Sequence, residues 1–572
     1  QQDIRQGGEK VATGTYGIGG GTGELGDGLY AAYLLKQIDI VGGKTVNLVT
    51  SPGDIKNSLD LSAKLTGAGN VSINGYGDYL SLSNHHNDYT GSTTVNYGTL
   101  VLADDTVLGQ ADKYNRALNL LTGTQAKFGS TTQYIGQLNS ATNSTVALEK
   151  GTLNVASGGS VAGQITSAPD ARLNVNGGTL DIASRNPGYH GTTTIASSAT
   201  TNIHHIAGLG AGAIALAGTL NVIKAAAGNL VNKLSGEGKA NILSGSDVNL
   251  TGNNAAFNGS FNVDGNSVLR ASSAQNIGDG PQIVPLARAM VMAAASTPAD
   301  IHNNGDLVLT NAQAKTWTVN NLIDGTGDLY KQGSGTLALT QQAAKYTGQT
   351  WVTKGALTAG EESSPVNMAT SALNIAQGAS FGGYGSTAGA VNNQGTFYVG
   401  GLDKTSLNTA TTYQVKGNFS NAGDIVLGSN NVTGSTLNIG GDYLSRGGSL
   451  YLNTVLNKGF AETDTDQMLV SGNVRNSSGA TRIFVQNVGG KGAFTQPDAI
   501  KLVDVKGRSD SDAFVLGRPT VIGVYEYRLN RGVGDDSWYL SSFNPNQGVP
   551  DLHYVNPMIG AFAANQNALS MF

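Results

Sequence analysis

The chain has 572 residues, with 34 basic against 39 acidic side chains and a formal net charge of −5 at pH 7. Only 13% of positions are charged and no basic stripe is present, which argues against nucleic acid as a partner. Glycine fills 81 positions, about twice its usual share, yet prolines number 12 and no Gly-X-Y period exists, so the glycines mark turns and not a collagen triple helix.

Cysteine is absent, which fits a protein exported unfolded through an oxidising compartment. No stretch reads as a signal peptide or a membrane-spanning helix, and a chain beginning at Gln1 is expected of a mature or trimmed product. Near the amino end, Gly21 to Gly26 has the G-x-G-x-x-G spacing, with a helix expected after it. No strand is expected before it and no βαβ frame surrounds it, so dinucleotide binding is not assigned. The amphipathic run Leu29 to Ile40, LYAAYLLKQIDI, is a candidate cover for the first exposed coil, and residues 1–45 are expected to form an N-terminal cap with the first coils.

The main body carries a repeat. GAGNVSINGYGDYLSLSNHHNDYTGSTTVNYGTLVL at 67–102 and GTGDLYKQGSGTLALTQQAAKYTGQTWVTKGALTAG at 325–360 share Gly-x-Gly, then apolar alternation, then Tyr89-Thr90-Gly91 or Tyr346-Thr347-Gly348, and then another strand expected to end at Gly98 or Gly355. A weaker copy at 236–269 puts Phe257-Asn258-Gly259 at the Tyr-Thr-Gly position, and a half-copy at 178–195 has Tyr189-His190-Gly191. Between these copies lie strand-sized runs such as Val146 to Leu148, Leu153 to Val155, Leu173 to Val175, Thr219 to Val222 and Leu307 to Leu309. One such unit cannot bury its apolar face alone and is stable only when stacked on neighbours. The expected fold is therefore all-β, a right-handed parallel β-helix over residues 46–463. At roughly 20 to 25 residues per coil and about 4.8 Å between coils, it would form a rod on the order of 100 Å long. The many asparagines suit either hydrogen-bonded ladders between coils or turns.

Two regions depart from this rhythm. PQIVPLARAMVMAAASTPAD at 281–300 holds a helix-like run from Leu286 to Ala295 between Pro285 and Pro298, too short for a bilayer and read as an insertion packed on the solenoid. After about residue 460 the strands lengthen and the glycines thin out: TDQMLVSGNV, then NVGGKGAF, GVYEYRLNRG and SWYLSSF. These runs, at 464–543, resemble the autochaperone region of AIDA-type and pertactin-like autotransporters. The Gly-x-Gly, Tyr-Thr-Gly and Gly-Thr-Leu units resemble the autotransporter-associated β-strand repeat. Asn556 and Pro557 would cap and open an Ala-rich helix, and 544–572 resembles the linker helix that leads into an outer-membrane translocator barrel. The resemblance implies a passenger exported through the periplasm to the bacterial surface, with its own barrel as a partner and folding templated by the carboxy-terminal block.

No chemistry stands out beside it. Gly378-Ala379-Ser380-Phe381-Gly382 has the G-x-S-x-G spacing without the required helix after it, and the Gly-Asp-Ser-Gly signature of protease-type relatives is absent. His85-His86 and His204-His205 read as turn histidines, and Thr463 to Asp466 as a turn leading into a strand. No catalytic, cofactor-binding or metal-binding residue is assigned, and no cofactor is expected. Trp317, Trp351 and the insertion at 286–295 lie close in sequence and form a candidate sticky patch, with packing the alternative for Trp351. The expected role is a non-catalytic adhesin that binds a host extracellular-matrix protein or glycan, or an identical chain on another cell, in aggregation and biofilm formation. A polysaccharide-degrading β-helix enzyme and a stalk with no ligand of its own are the alternatives.

Overall fold

In the computed structural model, residues 1–22, 29–50, 59–278, 298–403, 409–460, 464–544 and 549–550 are described. The run at 286–295 and the segment at 551–572 lie outside them. The described residues are nearly all β-structure, with no α-helix among them, and form a parallel β-helix. The chain divides into two units, one of residues 1–271 with 275–300 and one of residues 301–572 with 272–274.

The first unit opens with antiparallel strands Gln2–Gln6, Glu9–Thr22 and Leu29–Ile40. The G-x-G-x-x-G run thus begins inside one strand and is followed by another, which corrects the expected helix; Gly23 to Gly26 lie outside the described residues. The end of Leu29–Ile40 pairs in parallel with Lys64–Gly67, and from Thr45–Thr50 onward the strands of this unit pair in parallel among the described residues, with one isolated antiparallel bridge between Gly109 and Tyr114. Each winding returns the chain to the same face. Leu153 therefore stacks on Leu173 and Val155 on Val175, all fully buried, while Asn154 and Asn174 between them face outward. The strict alternation breaks at Val146-Ala147-Leu148, where all three side chains are buried.

The outward asparagines form ladders. Asn221 donates its side-chain amide to Asn202 at 2.8 Å, Asn241 to Asn221 at 2.8 Å, and Asn262 continues the line on Asn241. Asn174 donates in the same way to Asn154 at 2.9 Å. Asn221 and Asn241, in the middle of the line, each both donate and accept along the stack.

The repeat motif is explained by contacts between coils. The first glycine of Gly-x-Gly has a positive φ at Gly67 (95°), Gly236 (99°) and Gly325 (98°), which a side chain resists. A Cβ on Gly91, Gly259 or Gly348 would lie 2.0 Å from the carbonyl oxygen of Gly69, Gly238 or Gly327, so the third glycine is fixed by the second glycine one coil away. The aromatic residue of the motif fills the coil interior. Tyr89, Tyr189 and Tyr346 are fully buried, and each hydroxyl meets a threonine four residues on: Thr93 at 2.6 Å, Thr193 at 3.0 Å and Thr350 at 2.6 Å. Burial pushes the Tyr89 phenol up to about 12 and Tyr346 well above its usual range, against the opposing pull of those hydrogen bonds. In the copy with Phe257 the hydroxyl is gone, and so is the threonine. Phe261 takes its place and meets the first ring edge to face, with centroids 5.0 Å apart. The pair has changed together, because one hydroxyl buried without the other costs about 1–3 kcal/mol.

Between Val366 and Asn487 the strands of the second unit fall into three parallel sheets, and successive coils supply one strand to each. Its core differs from that of the first unit. Phe381, Phe397, Phe419, Tyr443, Phe514 and Trp538 make successive ring contacts, with centroids 5.2, 5.2, 6.1, 5.6 and 5.4 Å apart. Tyr413 meets both Phe381 and Phe397 edge to face and bonds its hydroxyl to Thr387 at 2.7 Å, as Tyr443 does to Thr481 at 2.7 Å. Lys331 is also fully buried, and its ammonium donates to the carbonyls of Gln332, Gly333 and Lys354 at 3.0, 2.7 and 2.8 Å. Desolvation brings it down to about 8. At the far end, strand Ile500–Val505 pairs antiparallel with Trp538–Ser541, which pairs antiparallel with Tyr525–Arg531, so parallel stacking stops there.

Candidate functional site

The outer face of one sheet in the second unit carries a groove lined by aromatic and polar side chains. Strands Thr396–Val399, Asp424–Val426, Ser449–Thr454 and Thr481–Asn487 lie side by side in register. Alternation sends Phe397, Ile425, Leu450 and Ile483 inward, all fully buried, and therefore sends Tyr398, Val426, Tyr451 and Phe484 outward in one line. Thr396, Asp424, Ser449 and Arg482 form the parallel line beside it.

Of these, Thr396, Tyr398, Asp424, Val426, Tyr451 and Phe484 line a groove of about 520 Å³, together with Leu402, Gln486 and Arg518. The rings of Tyr451 and Phe484 stack at 4.9 Å and 12°, and Tyr451 remains 37% exposed. Phe484 rests on Gly517, where a Cβ would fall 2.4 Å from the ring. Leu402 covers Gly382, the rung before Tyr398, with its Cδ2 3.0 Å from where a Cβ would stand. Arg518 donates to the Val485 carbonyl at 3.2 Å, which leaves most of its guanidinium donors for other contacts.

A second depression, about 220 Å³, lies among Thr454, Asp464, Gln467, Lys501, Asp504 and Tyr539. Lys501 is 3.2 Å from Asp504 and 3.8 Å from Asp535, with its ammonium over the Tyr539 ring. Burial raises the Asp504 carboxyl, but hydrogen bonds from Lys506 and Lys501 outweigh that and hold it below its usual range. Asp464 and Asp498 line it as well, so carboxylates outnumber lysines there.

The residues singled out from the sequence sit apart from both depressions. Ser380 lies outward on strand Ala379–Gly383 between Ala356 and Thr396, and strand Gly385–Thr387 follows where a nucleophile would need a helix. His85 and His86 occupy a turn, with rings 4.0 Å apart, and His85 meets the Asp104 carboxylate at 3.0 Å. His204 meets Asp181 at 2.7 Å, while burial and the charge of Arg185 keep His205 below its usual value. Among the described residues no three His, Cys, Asp or Glu side chains gather as a metal site. Asp464 and Asp466 directly precede strand Gln467–Val470, and the fully buried Asp466 carboxylate accepts from the Ser435 and Asn453 amides, both at 2.8 Å. It clamps two strands.

Trp317 and Trp351 do not form one patch. Trp317 is 8% exposed on strand Trp317–Val319, whereas Trp351 belongs to a different sheet, stacks on Tyr330 and donates to Asp328 at 3.3 Å. Nearness in sequence misled because successive strands of a coil turn onto different faces. The line Tyr398, Val426, Tyr451 and Phe484 escaped the sequence reading for the converse reason: the coil lengths between its members are unequal. Aligning TFYV, DIV, SLYLNT and TRIFVQN on their inward residues would have exposed it.

Comparison with known proteins agrees with this architecture. The family described as Autochaperone Domain Type 1 matches residues 407–529, and the Passenger-associated-transport-repeat matches 78–102 and 329–359, within the two clear repeats. The chain is 34% identical over 546 residues to the "Uncharacterized protein YuaQ" of Escherichia coli (strain K12), covering 95% of this chain and 35% of that protein. It is 35% identical over 389 residues to the "Uncharacterized lipoprotein YdeK" of the same strain, covering 68% of this chain and 27% of the relative. It is 32% identical over 126 residues to the "Adhesin BmaC autotransporter" of Brucella suis biovar 1 (strain 1330), covering 20% of this chain and 4% of that protein. The chain thus spans about a third or less of the length of these relatives. A parallel β-helix with passenger repeats, running into an autochaperone block, identifies the chain as an autotransporter passenger, of a family secreted through the outer membrane to the cell surface.

Proposed function

We propose that this passenger is a non-catalytic adhesin, held at the cell surface by an outer-membrane barrel, that attaches the bacterium to a component outside it. The observation that carries this reading is the outer-face groove: outward-facing, half-buried aromatic and polar side chains held in register by the sheet, as a binding surface requires. The likeness to a protein named an adhesin lends further support. Host matrix proteins, glycans and a second copy of the chain are the candidate partners, and many weak contacts along repeated coils would add through multivalency.

The test is to display the full-length protein on otherwise bare cells and score both settling and retention on immobilised matrix proteins and glycans. Retention supports attachment to a host component, and clumping alone supports self-recognition. Neither behaviour would reduce the passenger to a structural stalk.

A further inference from the structure

The aromatic line in the groove is missing one ring. Tyr398, Tyr451 and Phe484 are aromatic, but the rung between Tyr398 and Tyr451 carries Val426. Adjacent strands are about 4.8 Å apart, so Tyr398 and Tyr451 stand roughly 10 Å apart along the sheet, about the span of three stacked rings with the middle one absent. Tyr451 and Phe484, on neighbouring rungs, stack at 4.9 Å and show that rings on this face adopt that spacing. The Val426 rung is therefore a slot one ring thick, with aromatic neighbours and an aliphatic floor.

The polar groups around the slot are set for hydroxyls. Asp424 shares the strand of Val426 two residues away on the same face, with Thr396 and Ser449 on the rungs to either side. The hydrogen bonds of Asp424 among the described residues run through its main chain, with its N–H donating to the Gly395 carbonyl and its own carbonyl accepting from the Asn393 amide. Arg518 and Gln486 lie along the rim.

We propose that this slot binds a neutral pyranose ring of a glycan chain. A pyranose has apolar C–H faces that pack against aromatic rings and equatorial hydroxyls that a carboxylate accepts from. Neighbouring sugars of an extended glycan would follow the groove toward Phe484. A carboxylate beside the floor disfavours acidic sugars at this position. The proposal rests on the adhesin reading and names its ligand class.

The test uses the full passenger on an array of neutral hexose and N-acetylhexosamine oligosaccharides, with sulfated glycosaminoglycan alongside. The key variant is Val426→Tyr, which fills the slot and completes the ring line on a solvent-facing rung, with circular dichroism confirming the β-fold. Asp424→Asn keeps the shape and removes the charge. The parent is expected to bind neutral oligosaccharides, with affinity falling at least about tenfold in each variant. Parent-like binding by folded Val426→Tyr overturns the slot, as does preference for the sulfated polymer. Should the parent bind no glycan while displaying cells still adhere to a matrix protein, the slot falls and the adhesin reading stands. If those cells adhere to nothing, both fall.

Discussion

The two units use the same winding but hold it together differently. Between Thr93 and Val263 the first unit stacks aliphatic residues inward and asparagines outward, with an occasional buried Tyr–Thr pair. From Phe381 to Trp538 the second unit has a chain of ring contacts through its interior and an antiparallel end. Aromatic pairs contribute about 0.5–1.5 kcal/mol each beyond the burial of their area. Amide ladders on a half-exposed face contribute about 1 kcal/mol or less per bond. Stability should therefore be concentrated in the carboxy-terminal coils, the region matched by the autochaperone family. A solenoid grows by nearest-neighbour stacking, so a robust end is a suitable template for the coils that follow.

This contrast can be broken at several points. Deleting residues 464–543 removes the antiparallel end and the last members of the ring chain, and is expected to leave a passenger that trypsin degrades; resistance equal to the parent would dissociate templating from this block. Phe397→Ala opens the ring chain where three other rings meet and is expected to cost about 3–5 kcal/mol in urea denaturation. Gly348→Ala drives a methyl into the Gly327 carbonyl and is expected to cost about 1–3 kcal/mol, with a matching fall in melting temperature. Asn241→Ala interrupts a ladder of the first unit, where about 1 kcal/mol or less should be lost. A loss as large as that of Phe397→Ala would erase the distinction between the two modes.

Lys331 supplies a pH test. Its folded value is about 8, below the ordinary 10.5, so between those values the unfolded chain binds more protons and stability rises with pH. Above about 10 the buried tyrosines act in the opposite sense, because the unfolded phenols ionise first. Denaturation midpoints should increase from pH 8 to 9.5, and Lys331→Met should flatten that slope. An unchanged slope in the variant would show that another group controls it.

Much of the fold was legible because each element of the repeat has one structural cause. Gly67 needs its positive φ, Gly91 must pass the Gly69 carbonyl, and Tyr89 needs Thr93, so the spacing survives divergence elsewhere. Even the substitution at Phe257 was interpretable once Phe261 was seen beside it. The ladder role of asparagine could not be separated from its turn preference, since only the register decides whether Asn221 faces Asn202. The ring chain and the groove were hidden because their members come from different coils of unequal length, and Trp317 and Trp351 illustrate the same lesson in reverse.

Hydrogen exchange read by mass spectrometry across a urea titration tests the central claim most directly, since it ranks the coils by their opening free energy. Amides of strands between 379 and 541 are expected to exchange only with global unfolding, at higher urea than those between 93 and 263. Equal protection in the two units, or greater protection in the first, would contradict the account.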